Sequence, residues 1–241
     1  MAAADAAVRG AAMDFIFMLT RGDRTVPDWR EALEAAVAGG VAHLGFKDVG
    51  VEAADLAAIA ARIREAGATC CMEVVSTSAE AVAASIRTGV AIGVDRLLGG
   101  RDVAAAQALI GDADVGHLPF PGRPEGHPTR LGGRPEDIRA DCARFRAAGC
   151  PGADLLAWRA TEADPLALIR AAREGLGEGY LVVAGSIDSP ARIRAAAEAG
   201  ADAFTIGTAV FERAFAPGVP TLEGQLEAVL AACEGLPGGR P

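Results

Sequence analysis

Lysine is almost absent from this 241-residue sequence: of its 23 Lys and Arg residues, only Lys47 is a lysine. Arginine therefore fills nearly all the cationic positions, and the exception needs a reason. An excess of basic charge is missing too, since the formal net charge is -9 and the pI is about 4.9. Nonspecific nucleic-acid binding needs clustered basic charge, so we expect no nucleic-acid partner.

Long hydrophobic runs and a cysteine pattern typical of disulfides or metal sites are also missing. No apolar run reaches the roughly 18 residues that a membrane span needs, and residues 1–13 lack the pattern of a signal peptide. We therefore expect a lead-in at 1–13, a cytoplasmic location and no membrane partner. The five cysteines are odd in number and none are spaced as Cys-x-x-Cys, which favours reduced thiols over a disulfide framework or a metal site.

Short β-rich runs alternate with Ala-rich helical runs along the chain. Eight of each predict a parallel sheet, and the length fits one domain, a single (β/α)8 TIM barrel over 1–241. A doubly wound open sheet is the alternative, although no GxGxxG follows the first strand. The predicted strands are 14–20, 41–48, 70–76, 94–100, 113–119, 153–159, 180–186 and 203–208. The predicted helices are 27–39, 52–67, 78–90, 101–111, 134–149, 164–175, 189–200 and 221–234.

The interval 119–133 interrupts this alternation, because it is rich in Pro, Gly, Arg and His and lacks apolar periodicity. It follows the fifth predicted strand, so it would lie at the carboxyl-terminal face, where barrel enzymes carry their active sites. We predict a lid over that face, with Arg123, His127 and Arg130 reaching an anionic substrate. A mobile surface insertion is the alternative.

The most specific pattern is the stretch LVVAGSIDSPARIRAAAEAGADAFTIGTAVFE at 181–212. It reads as a strand, a Gly-Ser turn, a helix, a strand, a Gly-Thr turn and the start of a short helix. Backbone N–H groups at Gly185, Ser186, Gly207 and Thr208 would be free of bulky side chains, which predicts a phosphate cradle. The alternative is that both glycines merely turn the chain.

This stretch resembles the phosphate-binding (β/α)8 barrel superfamily, which includes histidine- and tryptophan-biosynthesis barrels, ribulose-phosphate epimerase, thiamin-phosphate synthase and several class I aldolases. The resemblance implies a phosphorylated ligand and does not choose a reaction. Class I aldolases of the phosphogluconate and deoxyribose-phosphate kinds place their Schiff-base lysine on strand six, where this sequence has Arg159. The acidic pair that the histidine-biosynthesis barrels carry on strands one and five is not matched either. We expect no cofactor, with FMN as an alternative because its phosphate suits the same cradle.

The lysine can now be placed on the second predicted strand. Side chains alternate along VAHLGFKD, so that Leu44 and Phe46 would face the helices and Lys47 would face the interior at the catalytic end. An inward Lys is costly unless it is paired or neutral, and only Lys can become the neutral amine that a Schiff base requires. We predict that Lys47 is catalytic, as a nucleophile, a phosphate contact or a group that polarises a carbonyl. A plain salt bridge to Asp48 or Glu73 is the alternative.

Other polar residues follow or interrupt the predicted strands. Glu73 on the third strand and His117 on the fifth are predicted to transfer protons. Anionic groups of the substrate are expected to meet guanidinium groups, and the candidates are Arg21, Arg96, Arg123 and Arg159.

Together these features predict an enzyme that acts on a small phosphorylated carbonyl compound by aldolase- or lyase-type chemistry at Lys47. A sugar-phosphate isomerase or epimerase using Glu73 and His117 is the first alternative. The second is a noncatalytic phosphometabolite-binding barrel, which would keep the cradle without titrating residues. The sequence is compatible with a homo-oligomer and leaves the oligomeric state open.

Overall fold

The computed structural model describes residues 13–76, 78–126 and 128–238, in which short parallel strands alternate with helices. The barrel strands are β1 (Asp14–Met18), β2 (His43–Lys47), β3 (Thr69–Val74), β4 (Arg96–Gly99), β5 (Gly116–Leu118), β6 (Gly152–Leu155), β7 (Tyr180–Val183) and β8 (Ala203–Ile206). The helices are α1 (Trp29–Ala38), α2 (Ala53–Glu65), α3 (Ala79–Ile92), α4 (Val103–Ile110), α5 (Pro135–Ala147), α6 (Pro165–Leu176), α7 (Pro190–Glu198), α8 (Thr208–Phe211) and α9 (Leu222–Cys233).

The eight strands form one parallel sheet in the order β6-β7-β8-β1-β2-β3-β4-β5. The two ends of this order meet, because Asp154 N at β6 donates a hydrogen bond of 3.1 Å to Pro119 O just after β5. The sheet is thus a nearly closed barrel surrounded by helices. The predicted (β/α)8 barrel is confirmed, and the doubly wound alternative is wrong.

Local signals explain where the elements begin and end. The side chains of Ser78, Asp102 and Asp164 accept hydrogen bonds from backbone N–H groups three residues later, so they cap α3, α4 and α6. The predicted strands were too long at their carboxyl ends. For example, β6 stops at Leu155 and is followed by a 3-10 turn at Ala157–Arg159.

Alternation divides the apolar residues into two layers. Inside the barrel lie side chains such as Ile16, Cys71 and Leu118. The larger layer packs between the strands and the helices, and it includes Leu44 and Phe46. The carboxyl-terminal ends of the strands carry most of the polar groups described below.

The interval 119–133 is more regular than predicted. It contains an antiparallel hairpin formed by Arg123–Glu125 and Arg130–Gly132. We call it the second hairpin, because another hairpin precedes it in the chain. Leu131 O accepts a hydrogen bond of 3.0 Å from Thr161 N, which ties this hairpin to the segment after β6. His127 and residues 1–12 of the predicted lead-in lie outside the described residues.

The five cysteines are free thiols, and all are buried. Burial is the main cause that raises the pKa of the Cys71 thiol to about 12. None of the helices within the described ranges is long and apolar enough to cross a membrane.

Candidate active site

Lys47 lies at the carboxyl end of β2 between two carboxylates. Its side chain points into the barrel mouth, and the residue is 5% exposed. The Nζ atom is 2.9 Å from Asp23 Oδ1 and 3.0 Å from Glu73 Oε1. Glu73 is the register partner of Lys47 on β3, so the alternation of both strands brings the two side chains together.

Asp23 reaches Lys47 from the first hairpin, which is formed by Thr20–Arg21 and Arg24–Thr25 after β1. Asp23 sits in its turn with φ +60°, a left-handed conformation that side-chain-bearing residues rarely adopt. Thr25 Oγ1 holds the hairpin in place, since it accepts 2.8 Å from Lys47 N and donates 2.7 Å to Lys47 O. The carboxylate of Asp23 is thereby fixed beside the lysine.

Arg159 completes the cluster from the turn after β6. Its Nη1 and Nη2 atoms donate to Oδ2 and Oδ1 of Asp23, each at 2.8 Å. This forked geometry matches a guanidinium to a carboxylate. Arg159, Asp23, Lys47 and Glu73 therefore form an ion-pair network in which cations and anions alternate.

The ion-pair network shifts the pKa values of Lys47 and Asp23. Burial alone would lower the pKa of Lys47, but the charges of Glu73 and Asp23 outweigh it and raise the pKa above its ordinary value. Burial alone would raise the pKa of Asp23, but the hydrogen bonds from Arg159 and the charge of Lys47 hold it well below its usual range. Lys47 is therefore an ammonium at neutral pH. Its contribution to stability is lost only as pH rises through this raised pKa, whereas that of Asp23 is lost as pH falls.

A cavity of about 370 Å³ opens at this end of the barrel, and Lys47, Glu73, Asp23 and Arg159 line it. This volume falls within the range of small-molecule sites. The cavity is also lined by the predicted cradle, which consists of Gly185, Ser186, Gly207 and Thr208. The lysine and the cradle therefore face the same space.

Close contacts and backbone conformation explain the glycines of the cradle. A Cβ on Gly207 would lie 2.6 Å from Thr20 O, and one on Gly185 would lie 2.6 Å from Arg159 Nε. Gly185 and Ser186 also have φ values of +77° and +58°. Glycine adopts such an angle freely, whereas at Ser186 it is unfavourable, and strain of this kind concentrates at functional sites. Gly207 thus lets the chain approach the backbone at Thr20, and Gly185 makes a left-handed turn beside the side chain of Arg159.

Asp154 is a candidate site residue that the sequence reasoning missed. It lies on β6 and is fully buried, and within the described ranges neither of its carboxyl oxygens has a hydrogen-bond partner. Burial raises its pKa well above the usual value, and the charge of Glu73 raises it further. The alternation of side chains along β6 could have identified Asp154. The neighbouring Leu155 belongs to the outer layer, so Asp154 must point inward.

His117 does not join Lys47, contrary to the prediction. Its neighbour Leu118 points into the barrel, so His117 faces the helices. Its Nε2 lies 2.9 Å from Gly99 O, and burial lowers its pKa. The prediction was wrong because side chains alternate along a strand. A histidine near the end of a strand faces the barrel mouth only if it occupies an inward position, and His117 occupies an outward one.

Three predicted substrate-binding arginines also lie elsewhere. Arg96 begins β4, at the opposite end of the barrel, with its guanidinium 4.3 Å from the ring centroid of Tyr180. Arg21 is exposed and lines a separate surface hollow beside α1. Arg123 is exposed and pairs with Glu162 at 2.7 Å. Of the four predicted arginines, the structure brings Arg159 to the cavity.

No family model and no curated protein matches the sequence. Solved structures do match. Orotidine 5'-phosphate decarboxylase from Pyrococcus horikoshii OT3 has 14% identity and a TM-score of 0.64 over 92% of this chain and 100% of that one. The chain has the fold of (β/α)8 barrel enzymes. The native KDPGal structure, an aldolase, has 14% identity and a TM-score of 0.62 over 90% and 93% of the two chains.

A third match is a mandelate oxidase mutant with a monooxide FMN adduct, at 16% identity and a TM-score of 0.60 over 86% of this chain and 69% of that one. A decarboxylase, an aldolase and an oxidase thus share the fold. At such low identity the likeness establishes the fold, and the reaction has to be argued from the site.

The cradle generates the first prediction. Phosphate should raise the melting temperature of the wild-type protein by mass action. Ser186→Asp places a carboxylate in the cradle and should abolish this rise by charge repulsion. Ser186→Asn should keep most of it, because Asn tolerates the same left-handed backbone without the charge. Thermal unfolding with and without phosphate at constant ionic strength measures the effect. An undiminished rise in Ser186→Asp would show that phosphate binds elsewhere.

Asp154 generates the second prediction. Its pKa is raised in the folded state, so the unfolded chain releases a proton that the folded chain keeps, and stability falls as pH rises above about 4. Thermal unfolding between about pH 5 and 8 should therefore show a downward slope in the wild type that Asp154→Asn reduces. Asp112→Asn, at an exposed position, is the control and should follow the wild type. Identical slopes in all three proteins would mean that Asp154 is ionised when folded.

Proposed function

We propose that the protein is an enzyme that acts on a small phosphorylated carbonyl compound. The phosphate lies at the cradle, and the carbonyl oxygen accepts a hydrogen bond from Lys47. The observation that carries this proposal is that a buried ammonium and the cradle line one cavity. The shared fold with an aldolase and a decarboxylase is compatible with it.

Lys47 has the donors that this role requires. An ammonium carries three N–H bonds, and two of them point to Asp23 and Glu73. Among the described residues this leaves one N–H for a ligand in the cavity. A preorganised cation at a developing oxyanion is a strong source of catalysis, because its orientation is fixed before the reaction begins.

Glu73 supplies a base beside that cation. In a carbon–carbon cleavage, Glu73 takes the proton of a hydroxyl group β to the carbonyl while Lys47 stabilises the enolate oxygen that forms. The proton then returns to the enolate carbon, so the site ends in its starting state. The same two residues support sugar-phosphate isomerisation through an enediol, in which Glu73 moves a proton between adjacent carbons and Lys47 gives a proton to the carbonyl oxygen and takes one from the neighbouring hydroxyl. Lyase chemistry is our first choice and isomerisation our second.

Arg159 supports an anionic ligand near the cradle. Its Nε atom would be 2.6 Å from a Cβ on Gly185, so the guanidinium lies directly against that turn. The planar guanidinium has five N–H donors, and two nitrogens already bond Asp23. Nη1 also donates a hydrogen bond of 3.4 Å to Thr129 O, so among the described residues the Nε–H remains as a donor beside the turn where the phosphate would sit.

A covalent role for Lys47 is the less favoured alternative. A Schiff base needs a neutral amine, and the two carboxylates raise the pKa of Lys47. We therefore propose polarisation of the carbonyl rather than nucleophilic attack. FMN chemistry is the role that the mandelate oxidase match suggests, and bound flavin would colour the purified protein yellow.

Borohydride trapping gives the third prediction. Phosphorylated aldehydes and ketoses that raise the melting temperature are tested as substrates, first for turnover and then with borohydride. We expect turnover without an adduct, and a loss of about 10²–10³ in kcat for Lys47→Met, the effect of removing one oxyanion donor. Mass spectrometry is unambiguous here, because Lys47 is the only lysine.

A reduced adduct on the peptide that holds Lys47 would replace polarisation by Schiff-base catalysis. Phosphate-dependent binding with no turnover of any ligand would favour a noncatalytic phosphometabolite-binding barrel. The phosphate-binding measurement on Ser186→Asp is independent of both results.

A further inference from the structure

A second hollow of about 290 Å³ adjoins the candidate site between α3 and α4. Its walls are mainly apolar and include Val74, Val82, Ile86, Leu109 and Phe120. We call it the apolar hollow. Its polar groups include Arg101 and Asp102, which are exposed and so lie at its rim.

The apolar hollow and the cavity above Lys47 share a wall. Glu73 is a lining residue of both spaces. Thr129 lines the hollow, and its carbonyl oxygen accepts a hydrogen bond of 3.4 Å from Nη1 of Arg159, which lines the cavity. A ligand that passes Glu73 therefore leaves the charged network and enters an apolar space.

Strand order sets the direction of such a ligand. The cradle follows β7 and β8, Lys47 and Glu73 end β2 and β3, and the hollow lies beside β3 and β4. The reacting groups thus stand between the cradle and the hollow. Small side chains such as Ala83 and Ala105 leave the hollow open.

We propose that the substrate carries an apolar alkyl or aryl group, which occupies the apolar hollow while its phosphate lies in the cradle. The ligand is an amphipathic phosphate ester with its reacting carbonyl in the middle. This inference rests on the proposed function, because the cradle fixes the other end of the molecule. Substrates with hydroxyl groups along their whole length, such as ordinary sugar phosphates, would leave the hollow without a matching partner.

The test uses n-alkyl phosphates from methyl to octyl as probes, with binding measured by calorimetry at constant ionic strength. Affinity should change little for short chains. Once the chain passes Glu73, each methylene should tighten binding about fourfold, which corresponds to about 0.8 kcal/mol for a buried CH₂. Ala105→Phe fills the hollow from α4 and should remove this chain-length dependence. Ala108→Phe is the matched control on the same helix, since Ala108 is equally exposed, and it should keep the dependence.

The outcomes separate the two proposals. Equal binding of methyl phosphate to the wild type and both variants, with chain-length dependence lost in Ala105→Phe, supports the inference. Methyl phosphate that binds without any gain from longer chains overturns the inference and leaves the proposed function standing. Failure of every phosphate to bind removes both. A change of oligomeric state in Ala105→Phe, with the chain-length dependence intact, would make the hollow a contact between copies and would also overturn the inference.

Discussion

The ion pairs of Lys47 with Asp23 and Glu73 are the interaction on which the mouth of the barrel depends. A charge removed from water is costly unless it is paired, and deletion of one partner from a buried pair costs about 3–5 kcal/mol. Asp23 comes from the first hairpin, Lys47 from β2, Glu73 from β3 and Arg159 from the turn after β6. Four separate segments are thereby held in one arrangement. The position of Lys47 at the end of β2 and the left-handed turn at Asp23 together form this ion pair.

The network balances its own charge, with two cations against two carboxylates. The chain as a whole has a net charge of -9, so attraction of an anion must come from local groups. Within the described part of the chain, the third N–H of Lys47, the Nε–H of Arg159 and the backbone of the cradle are such groups. A charged Asp154 would add a third carboxylate to this network and upset the balance. The ionised form of Asp154 is therefore disfavoured by both burial and the charge of Glu73.

Strand periodicity accounts for how much the sequence could predict. The alternation of strands and helices predicted the barrel. The alternation of side chains along a strand placed Lys47 and Glu73 inside the barrel, because each inward position is two residues from the next. The same rule, applied strictly, would have found Asp154 and rejected His117. The segment after the first strand indicated that Asp23 lies at the mouth, but its pairing with Lys47 could not be predicted, since it depends on a hairpin whose turn has a positive φ at Asp23. The prediction that Arg96 binds substrate was wrong for another reason. A residue that begins a strand lies at the end of the barrel opposite the active site.

The protonation state of Lys47 is the central claim, and a single lysine makes it directly measurable. Selective ¹⁵N and ¹³C labelling of lysine should give one side-chain signal, whose chemical shift reports the charge of the amine across a pH titration. We predict that, while the protein remains folded, the titration midpoint of Lys47 lies above the ordinary lysine pKa of about 10.4. Asp23→Asn should lower the midpoint, because it removes one of the two paired charges. A midpoint below about pH 9 in the folded wild type would contradict this account and restore Lys47 as a nucleophile.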